Sequence, residues 1–393
     1  KDATWVLVAM GSVCQAAEEL VDYLNARGEK TGLVKVRLYR PFSAMHLAAA
    51  LPETVKAIGV LDRTKEPGSV GEPLYLDVVS ALAKTEFREL PVYGGRYGLS
   101  SKHVGPGAIL SAFRNLQAER PKNGFTIGIF DDVTGLSLPM DEDPDTTPED
   151  IISCKFWGLG SDGTVGANKN SIKIIGDHTD LEVQAYFQND SKKSGGLTIS
   201  HLRFGKSKIR SSYFVSRADF AACHNPAYLG RYEMEREIKP GGVFLVNCGE
   251  QDDLSRRLSA GAKRYLAENS VRVYTIDAIG LARKLGLGTK FNAILQAAFF
   301  KLAKILPEED AARYMKEAIR KTYGSKGEEI VEKNIRAVDA GMAELREFSV
   351  PEDWKRAEER SKRAAPRGGL DKALDFAEEI LTPINDLQGD ALP

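Results

Sequence analysis

The sequence predicts an α/β protein built from two doubly wound open-sheet domains, with a C-terminal helical run and an extended linker arm. Three observations carry this expectation. Short apolar runs rich in β-formers alternate with segments of helical spacing almost from the first residue. A chain of 393 residues is long enough for two such domains. An acidic stretch over 131–150, carrying Pro139, Pro144 and Pro148, separates the two alternating regions.

Taken in order, Thr4–Met10 reads as a first strand, and Gly11-Ser12 punctuates it with Ser12 as the expected N-cap. Ala16, Leu20 and Leu24 then put an apolar stripe on a helix that ends near Arg27-Gly28. Gly32–Leu38 is the next strand, Ser43–Leu51 a helix capped by its serine, and Ala57–Leu61 a third strand. Glu72–Ala83 is helical, Leu90–Tyr93 a strand, and Pro106–Leu116 a helix opened by proline. Phe125–Phe130 is one more strand. In the second region an apolar run ending at Cys154–Trp157 leads into a glycine-rich turn and a helix marked by Val165, Ile172 and Ile175. Strands are expected over Leu181–Gln188, Leu197–Phe204, Phe220–Cys223, Val243–Asn247 and Val271–Ile276. Helices are expected over Ala278–Leu285, Phe291–Ile305, Glu308–Lys321 and Glu328–Glu347. The division that follows is residues 1–122 for the first domain, 123–150 for an inter-domain linker, 151–347 for the second domain and 348–393 for the arm, with one helix near Leu370–Leu381.

Composition bounds the function. The chain is 42% hydrophobic and 28% charged, and its net charge is −1, so no global basic field argues for nucleic acid. No apolar run approaches a membrane span. The start lacks Met and goes almost directly into a strand, as a fragment or processed piece would. Cys14, Cys154, Cys223 and Cys248 show no C-x-x-C spacing, which argues against a zinc or iron–sulfur site within the chain and suits a reducing cytosol. A cytoplasmic location is expected.

Several segments carry side chains capable of chemistry. Gly158, Gly160 and Gly163 fit G-x-G-x-x-G, a spacing that lets a backbone turn tightly and approach a phosphate at a helix N-terminus. A dinucleotide site of the NAD type needs an acidic residue after the next strand. Here Asp190 is followed by Lys192 and Lys193 beside Ser194, Gly195 and Gly196. Two ammonium groups among small residues suit a ligand with several phosphates, or a 2′-phosphate as in NADP. Asp162 inside the turn is awkward for phosphate and suits a helix cap. Packing alone is the other explanation of the glycines. Arg37, Arg40 and Arg63 lie at expected carboxyl ends of strands and suit either an anionic ligand or ion pairs at a domain contact. Gly94–Lys102 could cradle an anion or form a surface loop. Cys223 and His224 are adjacent on a strand and so point to opposite faces, which argues against a nucleophile–base pair. Asn247–Glu250 sits at a strand end and could line a cleft. His178 and His201 have no second ligand at metal spacing.

Phe156–Lys169, Ser191–Gly196, Ile199–Gly205 and Ala222–Tyr228 resemble, in order, the segment that opens the third domain of pyruvate:ferredoxin (flavodoxin) oxidoreductases. Val36–Phe42, Leu61–Gly68 and Asp131–Gly135 are similar to that family's second domain. The resemblance covers essentially the whole chain. It implies a first domain like the C-terminal domain of transketolases, mainly structural, and a second, gamma-type domain that binds coenzyme A. The enzyme it implies joins pyruvate and coenzyme A into acetyl-CoA and CO₂ while reducing ferredoxin or flavodoxin. Thiamine diphosphate, Mg and [4Fe–4S] clusters would be bound by domains absent here. Carried onto this sequence, the coenzyme A residues implied are Gly160, Ser161, Asp162, Gly163, Thr164, Val165 and Asn168 at the turn, then Lys192, Lys193 and Ser194, with Gly288, Thr289, Lys290 and Asn292 as a further set. No catalytic residue and no metal ligand is expected in the chain. Expected partners are the remaining domains of the same enzyme, ferredoxin or flavodoxin elsewhere on it, and a second copy in a homodimer, with no nucleic acid and no membrane. The chain alone is expected to be inactive. The alternative is a purely structural module without a ligand of its own; an independent NADP oxidoreductase lacks any hydride partner.

Overall fold

The computed structural model describes residues 2–130, 133–190, 195–249, 251–358, 371–389 and 392. Two compact units divide the chain. Unit 1 comprises Lys1–Glu149 and Arg210–Phe214, and unit 2 comprises Asp150–Ile209 and Val215–Pro393.

Unit 1 is the doubly wound sheet its alternation predicts. Strand β1 (Trp5–Ala9) leads to helix α1 (Val13–Asn25), β2 (Thr31–Lys35), α2 (Ala44–Ala50), β3 (Ala57–Asp62), α3 (Pro73–Leu82), β4 (Val92–Tyr97), α4 (Pro106–Gln117) and β5 (Phe125–Ile127). The order is β2-β1-β3-β4-β5 and every pair is parallel. Successive strand residues point to opposite faces, so Val6 and Val8 enter one core with Leu47, Ile58 and Leu74, while Leu7 and Ala9 enter the other with Leu20 and Phe113. Both faces are buried under helices, as a parallel sheet requires. Ser43 caps α2, its hydroxyl accepting from the His46 amide. Ser12 does not cap α1. It has helical backbone angles and makes no side-chain cap bond, because the chain is already helical there.

Unit 1 also contains a buried carboxylate that no local pattern announces. Glu19, on the inner face of α1, accepts hydroxyl bonds from Thr146 (2.6 Å), Ser211 (2.8 Å) and Tyr213. Burial and the neighbouring Glu19 charge push the Tyr213 phenol up to about 12.

Unit 2 holds β6 (Ile152–Leu159), α5 (Thr164–His178), β7 (Glu182–Asn189), β8 (Leu197–Gly205), β9 (Ala218–Cys223), β10 (Ile238–Asn247), α6 (Gln251–Arg257), α7 (Ala260–Glu268), β11 (Arg272–Ile276), α8 (Ala278–Lys284), α9 (Asn292–Ala303), α10 (Glu308–Tyr323), α11 (Glu328–Ala343) and β12 (Arg346–Phe348). Its sheet runs β12-β11-β10-β9-β6-β8-β7. The central strands β6, β9, β10 and β11 are parallel. The flanks are antiparallel: β8 runs against β6, β7 against β8, and β12 against β11. The sheet is therefore mixed. The seven residues between Asn189 and Leu197 are too few for a crossover, so β7 and β8 close as a hairpin. A dinucleotide fold would instead place the strand after α5 parallel beside β6.

Cys154 and Phe156 point into the core under α5, α9 and α11, where Phe156, Phe220 and Phe299 meet edge-on or tilted at 5.1–5.6 Å. Trp157 points to the other core, under α6 and α7. The region expected to be an arm begins as packed structure. Phe348 and Trp354 are buried with ring centroids 5.5 Å apart, and Arg264 donates to the Ala357 carbonyl. Helical turns follow from Asp371 to Asn385. No helix among the described residues is long and apolar enough to cross a membrane.

Candidate functional site

The glycine turn links the carboxyl end of β6 to the start of α5, and each glycine has a local cause. A Cβ on Gly158 would lie 2.6 Å from the Thr164 hydroxyl oxygen, so the helix can sit this close only over glycine. The Gly160 amide donates to the Gly196 carbonyl at 2.6 Å. Gly163 has φ +93°, and its Cβ would meet Asn292 Nδ2 at 2.7 Å. Ser161 is also left-handed, at φ +72°.

Asp162 organises the turn. Its Oδ2 accepts from the Leu159 amide at 2.9 Å and its Oδ1 from the Thr164 amide at 2.6 Å. The carboxylate thus occupies a donor at the helix N-terminus that a phosphate would otherwise use. From α9, Asn292 donates through Nδ2 to the Asp162 carbonyl and accepts through Oδ1 from the Thr164 hydroxyl at 3.4 Å.

Thr164 Oγ1 also lies 3.0 Å from His224 Nδ1. His224 follows β9 and is buried. Burial pulls its imidazole down to about 4, against the opposing charge of Asp162, so it is neutral at pH 7. Asn247, at the end of β10, donates to the His224 carbonyl at 2.8 Å and accepts from the Ala278 amide at 3.1 Å. Three strand ends therefore meet at one buried polar knot behind the turn.

The sequence-derived residues separate into two groups. Ser161 and Gly163 are exposed, and Gly160, Asp162 and Val165 are half-buried. Thr164 and Asn168 face the sheet and are buried, and Asn168 Nδ2 has no hydrogen-bond partner among the described residues. Lys192, Lys193 and Ser194 lie outside the described residues. Of the further set, Asn292 reaches the turn, while Gly288, Thr289 and Lys290 are exposed just before it in the chain. Lys169, exposed on α5, lies 5.3 Å from the Phe187 ring centroid. No spacing in the sequence links His224 to Thr164, sixty positions away.

Other candidates resolve into structure. Arg40 pairs with Asp77 at 2.8 Å and lies over Tyr39. Arg63 donates to the Gly98 carbonyl at 3.3 Å, and Arg37 is exposed. Asp62 caps α3 through the Leu74 and Tyr75 amides. His178 stacks on Tyr314 with centroids 3.6 Å apart, and His201 lies 2.7 Å from Gln188 Oε1. All four cysteines are buried, and none forms a disulfide among the described residues. Among the described residues, no three His, Cys, Asp or Glu side chains are grouped to hold a metal ion.

Comparison with known proteins matches both units. A family model described as "Pyruvate ferredoxin/flavodoxin oxidoreductase" matches residues 153–344, and one described as "Pyruvate:ferredoxin oxidoreductase core domain II" matches residues 3–102. The chain is 52% identical over 393 residues to a pyruvate:ferredoxin oxidoreductase of Moorella thermoacetica, covering all of this chain and 33% of that protein. It is 52% identical over 394 residues to a pyruvate-flavodoxin oxidoreductase of Enterobacter agglomerans, with the same coverage. The chain thus spans about a third of the length of the curated relatives it matches. A solved pyruvate oxidoreductase subunit of Thermotoga maritima overlays 51% of this chain and all of its own, at 15% identity and TM-score 0.42, too distant to bear on the site.

Proposed function

This chain belongs to the pyruvate:ferredoxin/flavodoxin oxidoreductase family, and from that premise we propose that it is the coenzyme A-binding and scaffolding part of such an enzyme, inactive alone. The reaction proposed for the whole enzyme breaks the bond between the carboxylate and the carbonyl carbon of pyruvate, releasing CO₂. It forms the thioester carbon–sulfur bond of acetyl-CoA, frees the thiol proton, and passes the electron pair to ferredoxin or flavodoxin. Equal identity to relatives named for each acceptor supports an acceptor choice made outside this chain. The four scattered, buried cysteines do not have iron–sulfur spacing, and among the described residues no His, Cys, Asp or Glu group could hold a metal, so this proposal places cluster chemistry in other domains of that enzyme.

The observation that carries the site assignment is the two-sided glycine turn. Its inner side is closed by Asp162, Asn292, Thr164 and His224. Its outer side presents Ser161 and Gly163. In this reading the turn gives coenzyme A a rigid polar edge, and phosphate charge is offset by Lys192 and Lys193, not by the Thr164 amide at the start of α5, which Asp162 already engages. Neutral His224 and Asn292 hold the turn and touch no ligand.

A second reading, a purely structural module, draws on the fact that every glycine of the motif has an internal neighbour. The test is steady-state kinetics of the full enzyme that carries this chain, with Lys192→Ala/Lys193→Ala. Coenzyme A binding predicts a KM for coenzyme A raised about tenfold or more with the pyruvate KM unchanged. An unchanged coenzyme A KM would favour the structural module.

A further inference from the structure

Unit 1 carries a groove that the proposed function does not use. Its floor is one stripe of α4, where Gly107, Leu110, Ser111 and Arg114 recur three and four positions apart. Its opposite wall is the segment around Leu138 and Pro139, and it encloses about 280 Å³. That segment is anchored: Lys122 Nζ donates to the carbonyls of Gly135 (3.0 Å) and Ser137 (3.4 Å), and Asp143 accepts from the Gly107 amide at 3.1 Å. The groove is therefore bounded on both sides by fixed chain.

Its charge is uneven. Arg114, Arg120 and Lys122 line it against Asp141 and Glu142. Arg114 donates through Nε to Glu142 (3.1 Å) and through Nη1 to Glu29 (2.9 Å) and Gln117 (3.0 Å), and its Nη2 makes no hydrogen bond among the described residues. Arg120 makes no ion pair or hydrogen bond among the described residues. One open guanidinium, that of Arg120, and a single unused nitrogen of Arg114 thus border a cleft lined by apolar Leu110, Leu138 and Pro139.

The geometry points to an accessory binding site for a short aliphatic carboxylate, of about four to eight carbons given a groove just under the usual ligand-pocket size. The carboxylate head pairs with the fork of Arg120, whose planar N–H donors match two carboxylate oxygens, and Arg114 Nη2 adds a single donor. The alkyl tail lies along α4. A phosphate ion would leave the apolar walls unfilled, and a neutral alcohol would leave the guanidinium groups unpaired.

Calorimetric titration of the 393-residue chain with hexanoate, 1-hexanol and inorganic phosphate tests this. Hexanoate is expected to saturate in the millimolar range, at least about tenfold tighter than either of the others. Arg120→Glu is expected to abolish that saturation while circular dichroism stays unchanged, since Arg120 is exposed. No saturation by hexanoate up to about 50 mM would overturn the site. So would equal binding by folded Arg120→Glu, and phosphate binding as tightly as hexanoate would overturn the ligand class.

Discussion

Glu19 and Asp162 are both carboxylates surrounded by donors, and they do different work. Glu19 is buried and receives three side-chain hydroxyls from residues 127, 192 and 194 positions away. Asp162 is half-buried and receives two backbone amides from within three positions. Glu19 fastens segments remote in sequence, and its charge is enclosed by that task. Asp162 shapes a single turn and leaves the outer side of that turn open. A closed carboxylate is fold, whereas a half-open one borders a surface where a ligand can be read.

The largest expected effect comes from breaking the closed one. Glu19→Leu strands three hydroxyls around an apolar side chain, and urea denaturation should register a loss of about 4 kcal/mol. A loss below about 1 kcal/mol would mean that those hydroxyls are satisfied elsewhere, and the contrast with Asp162 would collapse.

The Asp162 side is sharpened by pH. His224 sits near 4 when native and near 6.5 when unfolded. The unfolded chain therefore binds a proton between those values that the native chain does not. Stability falls as pH drops through that window, by roughly 3 kcal/mol in all. Glu235, buried and in no ion pair among the described residues, acts in the opposite sense. Burial pushes its carboxyl from 4.5 up to about 7, so its contribution is full below pH 4.5 and is lost as pH rises through 7. Between pH 4.5 and 6.5 the two slopes offset each other. Glu235→Gln should leave a stability that rises with pH across that window in urea unfolding. A flat profile in that variant would contradict a buried neutral His224.

Removing the open carboxylate should cost less. Asp162→Ala loses a cap on α5 but exposes the freed amides to water at a half-buried turn, so about 1–2 kcal/mol is expected. A loss as large as that of Glu19→Leu would place both carboxylates in one class.

What the sequence made legible follows the same division. The period-two alternation of Val6, Leu7, Val8 and Ala9 between two cores could be read because each strand residue declares its own face. Ser43 and Asp162 could be read as caps because their partners lie within three positions. Ser12 looked identical in pattern and failed, because a serine already inside the helix has no free amide to reach. The hairpin direction of β7 and β8 can be read from the seven-residue connection, which is too short for the crossover a doubly wound sheet would need. The knot of Thr164, His224 and Asn292 was not legible, since its members stand 60 and 128 positions apart and meet only through the sheet order. Glu19 with its three hydroxyls is the same case in unit 1.

The central claim is that the outer side of the glycine turn, with Lys192 and Lys193, receives the phosphates of coenzyme A. The most direct measurement is a double cycle in the full enzyme carrying this chain: coenzyme A against 3′-dephospho-coenzyme A, on wild type and on Lys192→Ala/Lys193→Ala, by equilibrium titration. The predicted result is that wild type binds coenzyme A about tenfold or more tightly than the dephospho form, and that the double variant loses this preference. Equal discrimination by both proteins would contradict the claim.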